Sequence, residues 1–262
     1  MYDWAASAMQ TTIMVAVFPI YFVKVAGAEL PASSATQRLA TVNTVALVVI
    51  ALLSPVLGAI SDYRGTKKRL LAVFMLIGVA AVGGMFFVQR GEIHLASTLF
   101  TVALIGAAGS FVFYEALLPH IARPDEIDRV SSAGYAVGYI GGGLLLALNL
   151  AWIQQPAWFG LPSGPNLSEA EATLPVRLAF ISVAVWWLVF SWPLLHGVAE
   201  PPLRLEPDER PSESPVRAAF IRMAETLRET LVSHIDELRR VRPEKLVRRR
   251  REKYLRMGAF EE

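Results

Sequence analysis

The residues of this chain that could do chemistry sit inside apolar runs. Glu115 follows Tyr114 in one run, Asp3 stands beside Trp4 at the head of another, and Gln10 and Asn43 lie within two of them. An ionisable side chain in such a place is costly, so it reads by default as a proton carrier, a gate or a solute contact. Glu115, one turn before Pro119, is the first candidate for coupling or gating; the plain alternative is that it snorkels to an interface or pairs with Arg123. Asp3 reads equally as a gate contact or as an interfacial anchor. Gln10, Asn43 and Asn149 either line a cavity or bond a neighbouring helix, and Lys24, near the end of its run, reads as a snorkelling cation. Nothing reads as an enzyme: there is no Gly-x-Ser-x-Gly elbow, no phosphate loop and no His-Glu-x-x-His. His94, His120, His196 and His234 are scattered, and cysteine is absent, which excludes disulfides and thiolate metal sites. No catalytic residue, metal, cofactor or nucleic-acid contact is expected.

The elements that carry these residues are apolar stretches at 8–26, 38–60, 69–89, 95–118, 131–153 and 177–197. Crossing a hydrocarbon core of about 30 Å takes about 20 such residues. Only helices satisfy their own backbone there, apart from closed barrels. The expected fold class is therefore an all-α membrane protein with six transmembrane helices. The composition agrees: 54% of residues are hydrophobic, 18% are charged and the mean hydropathy is +0.43, against about 25% charged in soluble domains. Ala26-Gly27-Ala28 looks like a signal cleavage site, but Asp3 stands where a basic n-region belongs, so the first span is read as retained. Arg64, Lys67, Lys68, Arg69, Arg123 and Arg129 fall on one side with the basic tail, and Arg38, Arg90 and Arg177 on the other. By the positive-inside rule both termini are cytoplasmic and the loop at 154–176 faces outward. Its Asn166-Leu167-Ser168 is a glycosylation sequon only in a secretory host. Gly134, Gly138 and Gly142, with Gly143 beside them, have small-xxx-small spacing, which predicts close helix packing or a rocking element. Pro19, Pro55 and Pro193 predict kinks, and Trp186, Trp187 and Trp192 read as packing and belt residues.

Between the second and third stretches runs Gly58-Ala59-Ile60-Ser61-Asp62-Tyr63-Arg64-Gly65-Thr66-Lys67-Lys68-Arg69. Gly58 suits close helix approach, Gly65 a tight turn, and Asp62 a helix N-terminus or an Arg partner. A topogenic basic loop would need only the cations. The stretch resembles the loop signature of the major facilitator superfamily, Gly-x-x-x-Asp-Arg-x-Gly-Arg-Lys. Gly58, Asp62, Gly65 and Lys67 match it, with Arg64 and Lys68 alongside, while Tyr63 and Thr66 stand where cations are usual. Tyr2-Asp3-Trp4-Ala5-Ala6-Ser7-Ala8, Phe113-Tyr114-Glu115-Ala116-Leu117-Leu118-Pro119, and Arg129-Val130-Ser131 followed by Gly138-Tyr139-Ile140-Gly141-Gly142-Gly143 are similar to segments of its vacuole-effluxer-like branch. Glu115 replaces the Asn usual there. The resemblance covers residues 1–200. It implies one half of a major-facilitator fold, a permease for a small solute such as an amino acid, with a second six-helix half or a second copy to complete the cavity.

After Glu200 the character changes. Five prolines between 201 and 215 make a linker. Phe220, Ala224, Leu227, Leu231, Ile235 and Leu238 then recur at threes and fours as one apolar stripe. The run Arg248-Arg249-Arg250-Arg251 follows, so the net charge of +2 and pI near 9.0 describe this tail more than a surface. The expected organisation is a six-helix bundle at 1–198, a Pro-rich linker at 199–215 and a basic amphipathic cytoplasmic tail at 216–262. From about 228 the tail resembles the C-terminus of the acetyl-CoA carboxylase carboxyltransferase alpha subunit, without any of that enzyme's core. A truncated or fused gene product is expected, since the linker does not lead to a seventh span. The alternative function is a membrane-anchored interaction protein displaying the basic tail. Alanine- and arginine-rich composition points to a bacterial plasma membrane.

Overall fold

The computed structural model describes residues 1–64, 66–123, 125–200 and 215–239, with 245 and 247, but not the side chains of 59–64 or of part of the last helix. Contacts divide the chain into two compact units, Met1–Pro207 and Asp208–Glu262. In the first unit, six helices are long and apolar enough to cross a membrane, and no strand occurs among the described residues. They are α1 (Tyr2–Ala26), α2 (Ala32–Arg64), α3 (Lys67–Gly84, extended by a tight turn over Met85–Phe87), α4 (Ile93–Ile121), α5 (Ile127–Gln154) and α6 (Glu169–Gly197). The chain is an integral, multi-pass membrane protein. The second unit contributes α7 (Pro215–Arg239), with Leu227, Leu231 and Ile235 exposed along it.

The helices outrun the apolar windows that announce them. α6 begins at Glu169, within the expected loop, because Ser168 caps it: its Oγ accepts from the Glu171 N–H at 3.3 Å, and the Glu171 carboxylate accepts from the Ser168 N–H at 2.9 Å. Arg177 is therefore not a loop cation. It lies about two turns into α6, only 8% exposed, where it donates to the Phe86 carbonyl at 2.6 Å with its guanidinium 4.5 Å from the Phe86 ring centroid. Those two contacts replace the water that burial removes.

The most extensive helix–helix contacts run in the order α2, α4, α3, α6, α1, α5, and smaller ones join α4 to α1 and to α5 and the end of α1 to α2. Glycine makes the α3–α4 seam. A Cβ on Gly106 would stand 2.5 Å from the Gly78 nitrogen, and one on Gly78 would stand 2.6 Å from the Trp187 ring. Phe18, Phe22, Tyr21, Phe100 and Phe180 fill the centre, with Phe18 and Phe100 stacked at 4.7 Å. α2 and α5 are the least covered helices. In the most apolar window of α2, 6% of residues are buried, and in that of α5, 28%, against 50% for α1 and for α4.

Candidate functional site

α1 positions the site and is itself irregular. Two stretches, Met9–Ala16 and Phe22–Ala26, are wound wider than an α-helix, so the Val17 N–H reaches Thr12 and the Gly27 N–H reaches Phe22, each five residues back at 2.8 Å. Pro19, between them, has no N–H to give. Thr11 adds a competing donor: its hydroxyl lies 3.0 Å from the Ser7 carbonyl and 3.1 Å from the Gly142 carbonyl on α5. Such wide turns inside helices recur at functional positions.

The glycine stripe of α5 receives the first turns of α1. A Cβ on Gly134 would stand 2.6 Å from Asp3 Oδ2. One on Gly138 would stand 2.7 Å from Ser7 Oγ, one on Gly141 2.5 Å from the Trp4 ring, and one on Gly142 2.8 Å from the Ser7 carbonyl oxygen. Gly143 points away, with nothing within 4 Å. Asp3 is 5% exposed and accepts a short hydrogen bond from the Tyr114 hydroxyl of α4. Tyr2 packs on Tyr114 and Phe111 at 4.8 and 5.8 Å. On its other side Trp4 stacks on Trp186 of α6 at 5.8 Å, and Trp186 Nε1 donates to the Trp4 carbonyl at 3.1 Å.

Glu115 lies on the exposed side of the same junction. It accepts from the Tyr135 hydroxyl of α5 at 3.1 Å, a tyrosine partner rather than Arg123. Gln10 is exposed on α1 and Asn43 half-buried on α2; neither adjoins the Asp3–Tyr114 pair. Asn149 is buried and accepts from Ser182 of α6 at 2.9 Å. Lys24 is exposed. Trp187 is fully buried in the core, whereas Trp192 is 61% exposed and stacks on His196 at 3.7 Å. No group of His, Asp or Glu that could hold a metal occurs among the described residues.

The loop signature is divided. Gly65 and the side chains of Asp62 and Arg64 lie outside the described residues, as do 201–214 and most of the segment after 239. No described atom comes within 4 Å of a Cβ on Gly58. Lys67 Nζ lies 3.3 Å from His120 Nε2. Lys68 has a role that its position alone did not suggest. Its N–H donates to the Glu200 carboxylate at 2.8 Å, and its ammonium to the Val198 carbonyl at 2.8 Å. A carboxylate that follows α6 thus caps the positive start of α3, where Thr66 makes no side-chain cap. Only a charged residue just past a span hinted at this. The Gly78–Gly106 seam likewise escaped the sequence reading, because the two glycines lie on different helices and only their packing brings them together.

No solved structure matches the chain. An uncharacterized MFS-type transporter, YxiO of Bacillus subtilis, is 32% identical over 206 residues, which cover 76% of this chain and 45% of that protein. The chain thus spans about half the length of this relative. The acetyl-coenzyme A carboxylase carboxyl transferase subunit alpha of Gemmatimonas aurantiaca is 67% identical over 39 residues, 15% of this chain and 12% of that subunit. The profile of the vacuole effluxer Atg22 like family matches residues 1–237, and with six membrane-crossing helices beneath that match, the chain belongs to this family.

Proposed function

We propose that the chain is one six-helix half of a non-enzymatic permease for a small solute. It works in a bacterial plasma membrane with both termini cytoplasmic, and a second six-helix half or a second copy completes it. The observation that carries this is the low burial of α2 and α5. Membrane helices bury themselves against lipid or against protein, and a lipid-facing surface needs no polar groups. Here α2 and α5 are left open, and exposed Gln10, Glu115, Tyr135 and Tyr139 lie on helices of the bundle. Transporters built from repeats hold their solute near the midplane between the halves, so one half offers half a cavity. The longer relative, 45% of which the match covers, supports the same arithmetic. An amino acid is the solute to test first.

The test is uptake of radiolabelled amino acids into proteoliposomes. At a density that keeps the chain monomeric, uptake equals that of empty liposomes. When the chain is co-reconstituted with a second half, or crowded so that copies pair, uptake rises above that line. Uptake by the monomer would refute the half-permease reading.

A second reading is a membrane-anchored interaction protein. The exposed Leu227, Leu231 and Ile235 of α7 and the 39-residue similarity of a short segment to an enzyme subunit favour it. The full chain then retains a cytoplasmic partner that a chain ending at Glu200 does not. Equal retention by both would dismiss it.

A further inference from the structure

We infer that the crevice between α1, α5 and α6 is a site for one anionic phospholipid, its phosphate held by the Lys24 ammonium and an acyl chain laid along the groove. The site is independent of the transport reading.

The crevice has a volume of about 250 Å³. It is lined by α1 from Ala16 to Val25, by Leu150 and Ile153 near the end of α5, and by Thr173 and Val176 near the start of α6. The three stretches meet at one end of the bundle, the outer end in the orientation proposed above. Ile20, 58% exposed, and Leu150, 37% exposed, leave the groove open at the surface. Among the described residues that line it, Lys24 alone is charged. Lys24 lies in the second wide turn of α1, Phe22–Ala26, a winding that recurs at functional positions.

This ammonium has no hydrogen-bond or ion-pair partner among the described residues. The carboxylates at the same end lie elsewhere. Glu169 pairs with Arg90 at 3.5 Å, Glu171 accepts from Ser168, Glu92 accepts from the Gln89 N–H at 2.6 Å, and Glu29 lies beside Gly91. The two hydroxyls of the lining are engaged as well. Tyr21 donates to the Val88 carbonyl at 2.7 Å and Thr173 to the Glu169 carbonyl at 2.9 Å. The crevice therefore offers a ligand one cation and an otherwise apolar wall.

That combination selects the occupant. The groove runs from Lys24 inward to Ala16, about 12 Å of helix, and one leaflet of the hydrocarbon core is about 15 Å deep. A phospholipid has the same plan, a phosphate at the interface and an apolar chain running inward. An amino-acid zwitterion does not fit it, because its own ammonium would meet Lys24 or an apolar wall with no acceptor. The membrane around the spans supplies the lipid, and a cation at the interface favours an anionic head group.

The test is native mass spectrometry of the full-length chain in detergent, titrated with dioleoyl phosphatidylglycerol or with dioleoyl phosphatidylcholine. One phosphatidylglycerol is expected to bind, about fivefold more tightly than phosphatidylcholine. Lys24→Gln removes that preference and Lys24→Arg keeps it. Ile20→Trp, which narrows the groove, weakens both lipids. Val185→Trp, in the separate groove between α5 and α6, weakens neither. Equal affinity for the two lipids, binding of many lipids without saturation, or an unchanged preference in K24Q overturns the site. Displacement of the lipid by an equal concentration of glycerol 3-phosphate also overturns it, since the head alone is then recognised. Should K24Q not fold, the parent decides: its preference falls as ammonium acetate is raised, and a preference indifferent to salt overturns the role of Lys24. None of these results alters the uptake expected of paired halves.

Discussion

At the scale of single residues, the bundle depends on where side chains are missing. The Gly106 seam admits no methyl group: the obstructing atoms are backbone, of Gly78 and of the Phe74 carbonyl at 2.8 Å, and cannot rotate aside. Gly106→Ala should cost about 1–3 kcal/mol, seen as a lower melting temperature in detergent. Gly143→Ala, which meets nothing within 4 Å, should stay within about 0.5 kcal/mol of the parent. Equal melting temperatures would show that α3 and α4 separate readily. Arg177 illustrates the opposite case. A cation in a membrane helix is accepted because the Phe86 carbonyl and ring stand where its guanidinium needs them.

At the scale of elements, helix ends are set by caps rather than by hydropathy. α6 starts at a reciprocal cap between Ser168 and Glu171. Ser168→Ala should cost about 1 kcal/mol and raise deuterium uptake in the first turn of α6 without touching its centre. Unchanged exchange over 168–173 would mean that burial, not the cap, holds that end. The start of α3 uses a distant carboxylate instead, Glu200, and so ties the two ends of the segment Lys67–Glu200 together. In α1 the missing N–H of Pro19 and the hydroxyl of Thr11 accompany wide turns that place Asp3, Trp4, Ser7 and Thr11 along one line of α5 glycines.

At the scale of the molecule, the sparsely buried α2 and α5 make a geometric prediction. If a second half completes the permease, it covers α2 and α5. Leu52, 70% exposed on α2, and Ile140, 64% exposed on α5, then fall in the joint, while Val73, 50% exposed on α3, faces lipid. In the cysteine-free chain, Leu52→Cys and Ile140→Cys should cross-link to a second half or copy with a short bismaleimide, and Val73→Cys should not. Cross-linking through Val73→Cys alone would put the partner on the wrong face. The tail belongs to the other compact unit, and its test is retention of a partner, independent of this one.

The fold was legible because lipid imposes a simple requirement. Long apolar stretches must be helices of about 20 residues, and six such stretches gave the number, order and approximate place of α1 to α6. The residues worth asking about were legible for the same reason, since Asp3 and Glu115 are costly in apolar runs. What hydropathy could not supply was pairing. It counts apolar residues along the chain and is blind to which helix stands beside which. It therefore placed Arg177 in a loop, left Lys68 and Glu200 unconnected, and passed over Gly78 and Gly106. Only the tertiary structure brought Asp3 of α1, Tyr114 of α4 and Gly134 of α5 into one notch. Those three are more than a hundred residues apart in sequence from first to last, and their meeting depends on close packing of three helices, which no local pattern encodes.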